Sequence, residues 1–266
     1  MIQWPFDPSV YAGLVALALA LLLLERGTAP LAWRWACLAS GLFVIWGALE
    51  TPLDPLGDHY LQSAHMVQHM VLMAVAPPLL LLGLTPAAVD RLGAILRPLR
   101  GILRPLPALA LYTLVIVGWH IPFAYDLGLT DERVHIAEHL TFLAAGVVFW
   151  WQVIPSTSAV GGHRLPDAWK IVYLFAGTLP MMAVALSLQF SHELFYAPYA
   201  SARRVNAFLT PVVDQNVAGA VMMTIDMGAL VVASLVIFFR WIGRSVRSDL
   251  ERVVEMERRE GGGLAG

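Results

Sequence analysis

Apolar residues run along this chain in long stretches separated by short polar interruptions, a spacing that marks buried or membrane-crossing helices rather than surface ones. Seven stretches approach the ~20 residues that an α-helix needs to cross ~30 Å of hydrocarbon. They are Pro8–Leu24, Ala32–Leu49, Ala64–Leu84, Leu106–Tyr125, Val134–Ile154, Trp169–Phe190 and Asn216–Trp241. The second is the weakest, because Arg34 sits at its start. No Lys or Arg precedes the first, so it lacks the positive region of a secretory signal and is expected to stay in the mature protein. The pattern predicts an all-α polytopic membrane protein with seven transmembrane helices.

Composition agrees with that pattern. Hydrophobic residues make up 58% of the 266 positions and charged residues only 14%, where soluble domains carry roughly 25% charged residues. A net charge of -2 leaves no basic excess, which argues against nucleic acid as a partner. The single cysteine, Cys37, excludes an intramolecular disulfide framework and any cysteine-based zinc ribbon or iron–sulfur cluster. A metal would have to be held by His, Met or carboxylate.

Charge also predicts the orientation, since basic loops close to membrane-spanning segments are retained in the cytoplasm. The loops after the first, third and fifth stretches, together with the tail, hold 14 of the 17 Lys and Arg residues, Arg164 among them. The alternate loops hold Arg133, Arg203 and Arg204. This places the N-terminus outside and the C-terminus in the cytoplasm. Residues 1–243 then form the transmembrane domain and residues 244–266 a cytoplasmic tail. In that tail, Val246, Leu250, Val253, Val254 and Met256 interleave with both charge signs, as in an amphipathic helix, before a Gly-rich end at 261–266 that is expected to be irregular. The connection Thr85–Pro105, with its three prolines, reads as a linker. Trp4, Trp119, Trp150, Trp151, Trp169 and Trp241 fall near the expected interfaces and read as anchors.

With this topology, seven of the eight histidines collect on the outer face, and His163 alone falls inside. His65 and His69 stand four apart on one helix, where the side chains share a face ~6 Å apart and can reach one ion. His135 and His139 repeat the spacing, and His120 lies at the outer end of the fourth stretch. The windows HMVQHMVLMA and HIAEHLTFLA align with a period of 70 residues, through internal duplication or through two independent solutions to one ligand geometry. His59 and His192 lie in outer loops. Met66, Met70 and Met73 accompany the first pair, and Met222, Met223 and Met227 follow on the last stretch. Imidazole suits zinc and copper alike, whereas thioether selects Cu(I), so the mixture leans towards copper.

Three carboxylates stand near or below this cluster. Glu138, between the second His pair, is placed to orient a ligating imidazole. Asp214 opens the last stretch, either in the site or as the N-cap of its own helix. Asp226 lies twelve residues on, roughly 18 Å deeper, and proton relay and a buried hydrogen bond both remain open for it.

The runs HMVQHMVLMAVAPPLLLLG at His65–Gly83, WHIPFAYD at Trp119–Asp126, HIAEHLTFLAAGVVFWW at His135–Trp151 and DQNVAGAVMM at Asp214–Met223 together resemble the CtaG family of caa(3)-type cytochrome c oxidase assembly factors. The resemblance implies a seven-helix protein of the bacterial inner membrane, needed to mature a haem–copper oxidase, with copper delivery as its suggested role. Its partners would be oxidase subunits or a copper donor protein, besides the lipid bilayer. On this basis the expected metal ligands are His65, His69, His120, His135 and His139. Met66, Met70, Glu138, Asp214, Asp226, Met222 and Met223 are additional or supporting candidates, and copper, as Cu(I), is preferred to zinc.

Two other functions use the same residues. An intramembrane zinc hydrolase would hold Zn(II) on three His, with Glu138 or Asp214 as general base. Against it, the second pair reads HIAEH rather than HExxH, although the reversed HxxEH order occurs in another zinc protease class. A bis-His haem protein would have to pair ligands across helices, such as His69 with His139.

Overall fold

A computed structural model of the chain describes residues 4–154, 157, 165–205 and 207–262. Expectations that fall on residues 1–3, on His163 and Arg164, and on 263–266 lie outside the described residues. The described chain is helical and contains no strand among the described residues. Two stretches have the limits expected of them, as α1 (Pro8–Leu24) and α2 (Ala32–Leu49). After α2 come a short α3 (Leu53–His59) and a composite span built from α4 (Gln62–Met70), a π-helical turn (Val71–Val75) and α5 (Ala76–Gly83). The π turn has a local cause. Pro77 and Pro78 lack an N–H, and their rings press on carbonyls four residues back, at Met73 and Ala74, so the ladder widens there.

The remaining elements are α6 (Pro86–Ile95), α7 (Pro105–Trp119), α8 (Pro122–Thr130), α9 (Glu132–Trp151), α10 (Asp167–Phe190) and α11 (Pro211–Gly262). Four of them, α6, α7, α8 and α11, differ in their limits from the stretches expected. The stretch Leu106–Tyr125 is broken, with α7 and α8 bent 72° apart. Pro122 causes the break: it forces Ile121 into an extended conformation and removes a helix donor, so His120 becomes the C-cap of α7. The connection Thr85–Pro105 is no plain linker, because Thr85 caps α6 through the Ala88 N–H and the segment folds as a helix. The last span and the tail form one helix of 52 residues. No proline follows Pro211 in it, and Gly243, at the junction of span and tail, costs only about 1 kcal/mol of helix propensity.

Among the described residues, five helical spans are long and apolar enough to cross a membrane, and a sixth if α7 and α8 count as one bent span; α1 is apolar but shorter. The bundle turns large apolar side chains outward, among them Leu106, Leu114, Val232 and Phe239, as a membrane protein does. Trp150 and Trp151 are not interfacial anchors, being 5% and 1% exposed inside the core, whereas Trp4, Trp169 and Trp241 are exposed. Within the bundle, α4 is wrapped by α11, α3 and the π turn, and α9 packs on α7, α5 and α8. The two His-bearing helices thereby meet at one end of the molecule, here called the histidine end; the Thr85 and Arg34 corner marks the opposite, arginine end.

Candidate metal centre

The five expected ligands converge. His65 and His69 descend from α4, His135 and His139 from α9, and His120 hangs from the C-cap of α7. Ring centroids lie 4.2 Å apart within each i, i+4 pair. Between helices, His65 stacks on His135 at 5.4 Å, and His69 lies 5.5 Å from His139 and 6.3 Å from His120. Phe142, 4.4 Å from the His69 ring, closes the floor with an apolar face. The local reason is helical periodicity: each pair shares a face, and α4 and α9 turn those faces towards each other.

Two carboxylates complete the cluster. Glu138 Oε1 of α9 reaches across to α4 and stands 3.5 Å from His69 Nε2. Asp58 was not foreseen. Its Oδ1 lies 3.5 Å from His65 Nδ1 and 3.6 Å from His135 Nε2, reaching in from α3. Two groups of potential ligand atoms result, Asp58–His65–His135 and His65–His69–Glu138, each with its atoms within 4.8 Å of one another. His65 belongs to both. The first group borders the surface, with Asp58 20% and His135 15% exposed, while His69 and Glu138 in the second are buried.

The polar atoms here are short of partners. Both nitrogens of His65 and His69, Nε2 of His120, His135 and His139, Oδ1 of Asp58 and Oε1 of Glu138 are buried and make no hydrogen bond. A buried polar atom without a partner costs roughly 1–3 kcal/mol, which makes this cluster a candidate ligand site. His120 is oriented for this: its Nδ1 bonds Ile116 O at 2.7 Å, which leaves Nε2 facing the cluster side chains.

The wall of the site is built from groups whose roles the sequence did not reveal. Tyr125 of α8 packs 5.4 Å from the His65 ring and stacks on Tyr196 at 3.6 Å. Tyr196 Oη donates to His120 O at 3.1 Å, and Tyr199 Oη to Gly57 O at 2.8 Å, so the segment before α11 is tied over the cluster. Two glycines allow close approach. A Cβ at Gly57 would lie 3.0 Å from His65 Cα, and one at Gly128 would lie 2.6 Å from Glu138 Oε2.

The block beginning at Asp214 is a joint rather than a set of ligands. Asp214 does not cap its own helix. It accepts from Ser63 Oγ at 2.5 Å and Ser63 N at 3.4 Å, and so caps α4 from outside. Gln215 holds Phe195 N and Glu193 O, and Asn216 donates to Leu188 O and Ser191 O at the end of α10. Gln68, the counterpart of Glu138 in the 70-residue alignment, turns away and donates to Ala48 O and Asp54 Oδ1. Burial, the negative charge of Asp58 and smaller contributions from Glu50 and Asp7 push Asp54 up to about 7 against that hydrogen bond.

Other candidates lie elsewhere. Met66, Met70 and Met222 are buried in the apolar core, and Met223 packs against it. Met66 and Met70 each follow a cluster histidine by one position, which rotates them about 100° around α4. Asp226 lines a small separate cavity with Tyr112, Trp150 and Thr178, and its Oδ2 makes no hydrogen bond. His59 and His192 are exposed.

A family model described as cytochrome c oxidase caa3 assembly factor (Caa3_CtaG) matches residues 15–244. The chain belongs to this family. Comparison with curated proteins and with solved structures gives no match. The matched region runs from within α1 to within α11 and so contains every residue of the cluster.

Proposed function

We propose that this CtaG protein binds copper at the histidine end and delivers it to a cytochrome c oxidase during assembly. One observation carries the reading: imidazole nitrogens from three helices and two carboxylate oxygens face one another, buried and without hydrogen-bond partners. Each metal ligand needs a deprotonated donor atom with a free lone pair, and the partnerless nitrogens and oxygens here are crowded together against an apolar floor. Its donors are nitrogen and oxygen, with the thioethers turned into the core. The set therefore accepts Cu(II) as well as the Cu(I) that the methionines suggested.

The shared residue His65 gives the site two positions. An ion first meets Asp58, His65 and His135 near the surface, and then His65, His69 and Glu138 deeper in, with His120 and His139 alongside. Because His65 serves both, the ion passes inward without losing all of its ligands at once, and leaves by the same exchange. A delivery protein needs such an open edge, which a closed tetrahedral cage would deny it. On this reading the bent α7–α8 pair and α1 each count as a span, giving seven. The positive-inside rule then places the histidine end outside and the C-terminus in the cytoplasm of a bacterial inner-membrane protein. Oxidase subunits and a copper donor protein would be its partners.

The test is metal content after loading the full chain with copper, with zinc as a parallel arm. Wild type is expected to hold copper and His65→Ala/His135→Ala to lose it; equal copper in both overturns the assignment. Zinc retained in preference to copper, with hydrolysis lost in Glu138→Gln, would favour the hydrolase instead. A haem between His69 and His139 does not fit, because His65 packs 4.2 Å from His69 and 6.1 Å from His139, where the porphyrin disc would lie.

A further inference from the structure

A second feature lies at the other end of the molecule and is independent of the metal reading. α11 packs closely on α4 and α10 but barely touches the π turn and draws away from α5. The helices therefore splay towards the arginine end, leaving an apolar groove of about 520 Å³, within the roughly 300–1,000 Å³ range of ligand pockets. Its α11 wall runs from Thr224 to Arg244, roughly 30 Å at 1.5 Å per residue. Gly228, Ala229 and Ala233 hollow that wall, and Pro78, Leu82 and Ile154 face them.

The groove ends in positive charge. Arg240 and Arg244 line its mouth, and Arg247 continues the same face of α11 at the i, i+4, i+7 spacing. Arg244 pairs with Asp167, which also lies 3.8 Å from Lys170. Glu251 borders the far side of the arginine face. Two acidic groups thus stand against four basic ones, and Arg240 and Arg247 are exposed. A long apolar slot that opens onto surplus guanidinium groups matches a molecule with an acyl chain at one end and a phosphate at the other.

We propose that this groove is a binding site for one anionic phospholipid, with an acyl chain along Gly228 and Ala233 and the phosphate held by Arg240 and Arg247. Charge complementarity selects a phospholipid with net negative charge over a zwitterionic one, because a basic side chain near an anionic headgroup is attracted and a net-neutral headgroup offers little. On the topology proposed above, the site faces the cytoplasmic leaflet.

The experiment uses the full chain, delipidated in detergent and then offered phosphatidylglycerol or phosphatidylcholine, with bound lipid read by native mass spectrometry. Phosphatidylglycerol is expected to be retained in preference. Arg240→Gln/Arg247→Gln, two exposed positions that leave the core intact, should lower that retention about tenfold. Gly228→Leu/Ala233→Leu should abolish it while copper content stays at the wild-type level, which separates this site from the histidine cluster. Equal retention of both lipids, undiminished retention in the arginine variant, or cross-linking from the groove to a second copy or a partner helix would each overturn the proposal.

Discussion

The two ends of the bundle treat buried polar groups in opposite ways. At the arginine end, Glu25 accepts from Thr85 N and Thr85 Oγ1, both at 2.7 Å, and from Thr28 Oγ1 at 2.6 Å. Arg34 donates to Leu82 O and Leu84 O, closing the end of α5, and Arg91 donates to Leu24 O and Arg26 O. Each of these groups completes a helix terminus, and the chemistry stops there. At the histidine end, both nitrogens of His65 and His69, Nε2 of His120, His135 and His139, Asp58 Oδ1 and Glu138 Oε1 are buried and have no hydrogen-bond partners. Burial alone therefore does not distinguish the two ends; the gathering of partnerless imidazole and carboxylate atoms at one of them does.

Substitutions at the two ends should separate along that line. The largest effect is expected at the cluster, where His65→Ala/His135→Ala removes a ligand from both groups. Copper retention should fall by about a hundredfold, while the metal-free protein loses only the packing of the two truncated side chains, about 2 kcal/mol in thermal unfolding. That stability loss with copper retention unchanged would mean that these rings are structural. The converse belongs to Glu25→Ala, which orphans the Thr85 N–H and should cost about 3 kcal/mol in denaturant or thermal unfolding with copper affinity unchanged.

Smaller changes sharpen the same contrast. Asp58→Asn and Glu138→Gln should each weaken copper by roughly tenfold, the first mainly slowing uptake and the second mainly speeding release, as stopped-flow exchange would show. Identical kinetics in the two variants would argue against two positions. Asp214→Ala should cost about 1 kcal/mol by uncapping α4, a loss that Asp214→Asn largely restores. The pH-dependent contrast concerns Asp54. Its carboxyl is raised to about 7 by burial, so the folded state holds a proton that the unfolded chain, with a value near 3.8, gives up. Stability should fall as pH rises from about 4 to 7, and Asp54→Asn should flatten that slope.

Much of this arrangement is legible in the letters. Apolar runs set α1 and α2 to the residue, and the i, i+4 spacing places both His pairs on facing surfaces. The break at Ile121 was also legible, because Pro122 forbids a straight helix through it; hydropathy simply does not register the lost donor. Asp58 was not, since a carboxylate in a seven-residue helix has no periodicity, and only the fold brings α3 against His65 and His135. Asp214 shows a related limit of local reasoning. A carboxylate in a helix's first turn suggests a cap on that helix, yet here the side chain crosses to Ser63 on another. Tyr196 and Tyr199 escaped for the same reason, their partners lying 76 and 142 residues away.

The central claim is that the partnerless cluster at the histidine end is a copper site. Copper-edge X-ray absorption on the loaded full-length protein tests it most directly. Three or four nitrogen and oxygen ligands near 2 Å, with the imidazole scattering lost in His65→Ala/His135→Ala, is the expected result. Sulfur ligation that persists in that variant would place the metal on the methionines and contradict the account.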